Sequence, residues 1–221
     1  MPLDLVYADA GIVVLNKPSG LLSVPGKTCD ECLSGQVQAQ FEDALIVHRL
    51  DMSTSGLLVM ARGIAAQRVL NAHFAERRVH KRYVAVVQGD SRVAEPEASE
   101  EGEAWQTIDL PIQVDWPNRP LRKIDFETGK PSSTRWRCVG YQAERHVSRL
   151  ELEPLTGRSH QLRVHLQAIG HPILGDALYA PPDIAAASPR LLLHATELAF
   201  AHPVSGEWIS FHSPDEFGLQ A

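Results

Sequence analysis

The chain has 221 residues, of which 44% are hydrophobic and 22% charged, and its net charge is −6. This balance describes a globular chain long enough to bury a sizeable core, and it excludes fibrous and low-complexity classes. No apolar run approaches the roughly 20 residues that cross a bilayer, and Met1-Pro2-Leu3-Asp4 lacks the basic-then-apolar start of a signal peptide. A cytoplasmic protein without membrane contact is expected.

In chain order, residues 11–15 read as a strand from their β-branched and aliphatic content, and Asn16-Lys17-Pro18-Ser19-Gly20 is a turn signal directly after it. Cys29 and Cys32 form a lone CDEC in a polar, Gly-bearing loop. A structural zinc site needs about four ligands, so these read as two loop thiols and Cys138 as a core thiol. A strand at 57–61 is followed by a helix at 64–77, whose apolar positions fall mostly at helical spacing. A further strand at 82–88 is led by His80-Lys81-Arg82-Tyr83. Residues 90–104, rich in Glu, Ala, Ser and Pro, read as a mobile acidic surface insertion.

Arg119, Arg122, Lys123 and Lys130 lie among Pro117, Pro120, Gly129 and Pro131, punctuation that predicts a turn or an exposed hairpin. Strands at 132–141 and 147–153 precede a helix at 159–169, with Ser159 as N-cap, Gly170 at the C-terminal end and Pro172 beyond. Residues 191–201 read as a strand. Strands dominate and helices are few, which predicts an α+β fold on a largely antiparallel sheet.

The charge is uneven. Between residues 90 and 103 six acids stand against one base, whereas between 119 and 137 six bases stand against two acids, and residues 77–82 carry four bases without an acid. RNA affinity follows such local basic patches, although an ordinary solvated face has the same composition.

Four segments carry candidate chemistry. In Val47-His48-Arg49-Leu50-Asp51-Met52-Ser53-Thr54-Ser55-Gly56 an acid enters a Ser/Thr/Gly-rich turn, where it is either a cap of its own turn or a catalytic group. Tyr83 at the head of a valine-rich strand is either packing or function. Thr156-Gly157-Arg158-Ser159-His160-Gln161-Leu162-Arg163-Val164-His165 crowds cations at a helix start, where the dipole favours anions. A nearby anion is therefore expected, either a phosphate or the Asp51 carboxylate. Arg190-Leu191-Leu192-Leu193-His194-Ala195 reads as a buried strand. The histidines at 48, 160, 165, 171 and 194 lie in separate motifs, which favours structural or RNA-contacting roles over a metal site.

Together HRLD with STSG, Lys81-Arg82-Tyr83, GRSHQLRVH, the 171–176 segment and LLLHA resemble, in order and spacing, the RluA-type pseudouridine synthases, over nearly the whole chain. Asp115-Trp116-Pro117-Asn118-Arg119-Pro120 and Glu127-Thr128-Gly129-Lys130-Pro131 resemble the compact subgroup that modifies a tRNA anticodon stem-loop and a large-subunit rRNA hairpin. The acidic insertion is longer than that subgroup leads one to expect.

The resemblance implies one catalytic domain over 1–221 without an S4 domain, and a mixed, mainly antiparallel sheet with flanking helices and loops around a central RNA-binding cleft. It implies Asp51 as the catalytic carboxylate, Tyr83 stacking on the uracil, Arg163 pairing with the aspartate, and Arg49 filling the space of the flipped nucleotide. His48, Arg119, Arg122, Lys123, Lys130, Arg158 and His160 are the expected RNA contacts. No metal, no organic cofactor and no obligatory protein partner is implied, and a monomer is expected.

Physical reasoning agrees with these roles. Extruding a base costs a few kcal/mol, which Arg49 offsets by stacking in the gap, and an aromatic wall is worth roughly 1–3 kcal/mol per base. In a water-poor cleft desolvation would act against the ionised Asp51, and an adjacent Arg163 would favour it. Residue types leave open whether Asp51 attacks C1′, attacks C6 or removes the 2′ hydrogen. Two rival readings are an RNA-binding or chaperone protein without chemistry, and a hydrolase using Asp51 with His48 or His160.

Overall fold

The structure, a computed structural model, describes residues 3–26, 31–92 and 105–218. Cys29 and residues 93–104 of the acidic insertion lie outside the described residues. In chain order the elements are β1 Leu5–Ala8, β2 Ile12–Lys17, α1 Leu33–Gln38, β3 Ala44–Ile46, β4 Ser55–Arg62, α2 Gly63–Ala75 and β5 His80–Gln88. They continue as β6 Gln106–Asp109, β7 Ile112–Val114, β8 Arg122–Ile124, β9 Ser133–Gln142, β10 Val147–Pro154, α3 Gln161–Ala168, α4 Pro182–Ala186, β11 Leu193–Ala201 and β12 Trp208–His212. The chain folds into two compact units, Met1–Arg82 with His194–Asp215, and Tyr83–Leu193 with Glu216–Ala221.

In the first unit β4 is the central strand. Every residue of it but the last is buried, as expected for an apolar run covered on both faces. It pairs antiparallel with β2, Leu15 opposite Leu58 and Val13 opposite Met60, and antiparallel with β3. With β11 it forms a short parallel pair, His194 opposite Ser55 and Ala195 opposite Gly56. α2 turns Ala66, Leu70 and His73 inward at helical spacing, and Ala66 and Leu70 join Ile12, Val14, Leu57, Val59 and Phe200 in one core.

In the second unit β5, β10, β9 and β6 form an antiparallel series, with Tyr83 opposite Leu152 and Leu150 opposite Cys138. Alternation along β10 sends Leu150 and Leu152 to the core, where Leu162 and Leu166 of α3 join Ala85 and Val87. β7 and β8 form a separate antiparallel hairpin, the one anticipated from the proline and glycine punctuation. The parallel β4–β11 pair among mainly antiparallel ladders makes the fold mixed and mainly antiparallel α+β.

Some local expectations need correction. α3 starts at Gln161, with His160 rather than Ser159 at the N-cap and in a left-handed conformation (φ 59°). Its C-terminus closes as expected, His171 N–H donating to Leu166 C=O (2.9 Å) and Gly170 N–H to Gln167 C=O (3.1 Å). Cys32 is buried at the N-cap of α1, with Ser34 Oγ 3.4 Å from its sulfur, so it is no loop thiol. Cys138 is half-buried against the second core. No helix of the described residues is long and apolar enough to cross a membrane.

Candidate active site

In the first unit the HRLDMST turn joins β3 to β4, and its backbone is fixed residue by residue. Ser23 Oγ donates to Leu50 C=O (2.7 Å) and accepts Leu50 N–H (3.2 Å). Thr54 N–H donates to Asp51 C=O (3.1 Å), Gly20 N–H to Met52 C=O (2.8 Å), and Ser19 Oγ to Ser53 C=O (2.7 Å). Lys17 Nζ donates to Met52 C=O (3.0 Å), to Pro18 C=O (2.8 Å) and to Leu21 C=O (2.7 Å). An ammonium has three N–H donors, and three carbonyls receive them, which is how a lysine can be 0% exposed. Asp51 is half-buried on this turn, and Arg49 is exposed.

The motif's flanks are equally constrained. Gly56 has φ +109°, and a Cβ there would lie 2.3 Å from Ala195 O, so STSG needs its glycine where β4 meets β11. His194 Nδ1 lies 2.8 Å from Ser55 Oγ and its Nε2 3.2 Å from Ser213 Oγ, a buried bridge below the turn. His48 Nε2 accepts Val59 N–H (3.1 Å), and its ring stacks on Phe74 at 4.6 Å. Burial, with Lys81 adding to it, pushes the His48 pKa down to about 3. This neutral ring props the turn and has no charge to offer a phosphate; only Nδ1 remains for RNA.

In the second unit the residues gather around Tyr179. Arg163, 4% exposed, grips Asp176, 1% exposed, with Nε to Oδ2 at 2.8 Å and Nη2 to Oδ1. Asp176 Oδ1 also accepts Leu178 N–H (3.0 Å) and Tyr179 N–H (3.2 Å). Gly175, at φ +76°, allows the preceding turn, since a Cβ there would meet Arg190 O at 1.9 Å. Within this unit Arg163 pairs with Asp176, a partner that sequence reasoning did not single out.

The Arg163 guanidinium lies 5.0 Å from the Tyr179 ring centre. The Tyr179 hydroxyl lies 2.6 Å from His160 Nδ1 and accepts Arg122 N–H from β8 (2.9 Å). Burial raises the Tyr179 pKa, so the phenol stays protonated at neutral pH. Tyr83 is half-buried at the margin of the core.

The remaining cations differ in availability. Arg158 is exposed and donates to Pro131 C=O (Nη2, 3.3 Å). Arg122 Nη1 donates to Pro120 C=O (3.1 Å), and Lys123 pairs with Asp125 (3.0 Å). The Thr128 amide and then Lys123 hold the Asp125 carboxyl down to about 2. Arg119 and Lys130 are exposed. Among the described residues no three His, Cys, Asp or Glu side chains converge as a metal site would require.

The sequence profile described as RNA pseudouridylate synthase matches residues 11–168, which include the whole Asp51 turn, Tyr83 and Arg163. The chain belongs to this family. It is 47% identical over 217 residues to the dual-specificity RNA pseudouridine synthase RluA of Escherichia coli (strain K12), covering 97% of this chain and 94% of the relative. It is 47% identical over 218 residues to that of Pasteurella multocida (strain Pm70), with the same coverage. Among solved structures, human RNA pseudouridylate synthase domain containing 1 matches with TM-score 0.78 and 32% identity, covering 98% of this chain and 84% of that one. Human RNA pseudouridylate synthase domain containing 4, at 22% identity and TM-score 0.72 over 95% of this chain and 87% of that one, shows the same fold.

The chain is thus an RNA pseudouridine synthase, an isomerase. Its reaction breaks the bond from C1′ to N1 of uridine and makes one from C1′ to C5. C5 gives up its proton and N1 gains one, so RNA mass is unchanged. Lys17, Ser19, Ser23, Asp176 and Tyr179 are the supports that sequence reasoning missed. Their only sequence signals were a turn motif after a strand and the GD of the 171–176 segment, neither of which names a partner.

Proposed function

We propose that this synthase modifies a tRNA anticodon stem-loop and a hairpin of large-subunit (23S) rRNA in the cytoplasm. In this reading it is a monomer without an obligatory protein partner, and the whole chain is its catalytic domain. The observation that carries the proposal is the 47% identity, over 97% of the chain, with a synthase named for dual specificity. Asp51 is the catalytic carboxylate. Its support is the turn in which the carbonyls of residues 50–53 are all hydrogen-bonded, so the acid's backbone has no freedom to retreat from a substrate.

Tyr83 is the flat wall for the detached uracil, and Arg163, held by Asp176, is the fixed cation of the site. Arg49, exposed on the Asp51 turn, is free to enter the stack vacated by the flipped nucleotide. Arg119, Arg122, Lys123 and Lys130 of the β7–β8 segment, with Arg158 and His160, contact the RNA backbone, and His48 contributes through the turn it props. Arg119 and Lys130 are the best placed of these, being exposed.

The test is a map of pseudouridine across tRNA and rRNA in cells with and without this protein. Loss of one anticodon-stem-loop site and one 23S site, restored by the wild-type chain, is the expected result. Loss in only one RNA class would contradict the dual target.

A further inference from the structure

The β7–β8 hairpin carries a feature that its charges do not explain. Trp116 is 65% exposed in the loop between the two strands. Tryptophan is highly buried on average, so this exposure forgoes the burial its large apolar surface would give. The loop is nevertheless ordered by its own bonds. Asp115 N–H donates to Leu121 C=O (3.1 Å), Leu121 N–H to Asn118 C=O (3.0 Å), and Asn118 Nδ2 to the Asp115 carboxylate (2.9 Å). The Arg119 guanidinium lies 3.4 Å from the Trp116 ring centre, against one face of the indole. A ring backed on one face, and still mostly solvent-exposed, presents its other face to solvent.

We infer that Trp116 is a stacking platform for an unpaired nucleobase of the substrate RNA, with Arg119 as its backing. The occupant follows from charge and from the established activity. Exposed Arg119, Lys123 and Lys130 share the segment and favour a polyanion over an apolar peptide. Unpaired loop bases stacked on aromatic rings and guanidinium planes are the usual handles for protein recognition of RNA. The platform is tied to the active-site framework of its unit, because Arg122 N–H on β8 bonds the Tyr179 hydroxyl and the Tyr179 ring lies under Arg163. Stacking tolerates any base, since every base has a π face, which suits a synthase acting on two RNAs. The inference rests on the reading of this hairpin as an RNA grip.

The test uses the full-length protein and an anticodon stem-loop transcript, with binding measured across a salt series. Trp116→Ala should weaken binding roughly five- to 150-fold, the range for losing one base–aromatic stack. The slope of log affinity against log salt should stay unchanged, because no phosphate contact is lost. Trp116→Phe should recover most of the affinity. Transcripts carrying 2-aminopurine at one loop position at a time should show one position whose fluorescence is quenched by the wild type and much less by Trp116→Ala. The grip is tested apart by the triple variant Arg122→Ala, Lys123→Ala and Lys130→Ala, which should flatten the salt slope.

If the triple variant binds more weakly and Trp116→Ala binds normally, the platform is wrong and the grip stands. Unchanged binding and slope in both would overturn the grip and the platform together. Weakened binding by Trp116→Ala that Trp116→Phe does not restore, with a lowered melting temperature, would make Trp116 a structural residue and overturn the inference.

Discussion

Asp176 receives the Arg163 guanidinium through both carboxylate oxygens while one of those oxygens also accepts two backbone N–H groups, from Leu178 and Tyr179. The carboxylate is therefore held by its own turn, and the arginine is held by the carboxylate. Both side chains are almost wholly buried, so a lost partner is costly, about 3–5 kcal/mol when one member of a buried pair is removed. Asp176→Asn should lower stability by an amount in that range and reduce turnover strongly. Arg163→Lys should also lose most turnover, because a point charge cannot reproduce the two-pronged contact. Denaturant unfolding beside single-turnover assays checks both, and wild-type rates in Arg163→Lys would show that the fork geometry is irrelevant.

Tyr179→Phe removes the hydroxyl that accepts Arg122 N–H and meets His160, and leaves the ring beside Arg163. Stability should fall by about 1 kcal/mol, the usual net value of one hydrogen bond. Because the lost bond ties the hairpin to the site, KM for RNA should rise more than kcat falls. A fall in kcat alone would instead assign the phenol to the chemical step.

Lys17→Met removes the ammonium that donates to three carbonyls, of which Met52 C=O still accepts the Gly20 N–H. Stranding buried carbonyls costs about 1–3 kcal/mol each before relaxation. The melting temperature should drop, and kcat should fall well beyond the drop in folded fraction, since the Asp51 turn loses a clamp. Activity that simply tracks the folded fraction would mean that Lys17 supports the fold but not the position of Asp51.

How far the sequence reveals this arrangement depends on the range of the interactions. β4 and α3 were legible because a buried apolar run and a 3.6-residue stripe are local patterns. The β7–β8 hairpin was legible from its prolines and glycine, and the Asp51 turn from HRLD and STSG. Lys17 read as a turn residue, because its burial depends on carbonyls at 18, 21 and 52 converging in space. Asp176 escaped notice because its partner lies 13 residues away, across a turn that only Gly175 permits. Ser159 has the chemistry of an N-cap, yet α3 begins one residue later, where His160 takes a left-handed conformation and its ring reaches Tyr179. Short strands such as β1, β3, β6 and β12 have too few residues to show alternation.

His48 predicts a pH effect on stability. Its folded pKa lies near 3, below the ordinary 6.5, so between those values the unfolded chain binds the extra proton. Its contribution to stability is full above about pH 6.5 and is lost progressively as pH falls towards 3, with a limiting slope of about 1.4 kcal/mol per pH unit. His48→Gln should be less stable than wild type at pH 7, and its stability should decline less between pH 6.5 and 4. Parallel stability–pH curves for the two proteins would show that His48 does not titrate with folding.

The assignment of Asp51 is central, and the isosteric variant Asp51→Asn, which removes the charge and little volume, tests it most directly. Pseudouridine formation on an anticodon stem-loop transcript should be measured with purified enzyme in excess, beside binding of the same RNA. The account predicts no detectable pseudouridine, with a melting temperature and RNA affinity close to wild type. Substantial turnover by a clean Asp51→Asn preparation would contradict it.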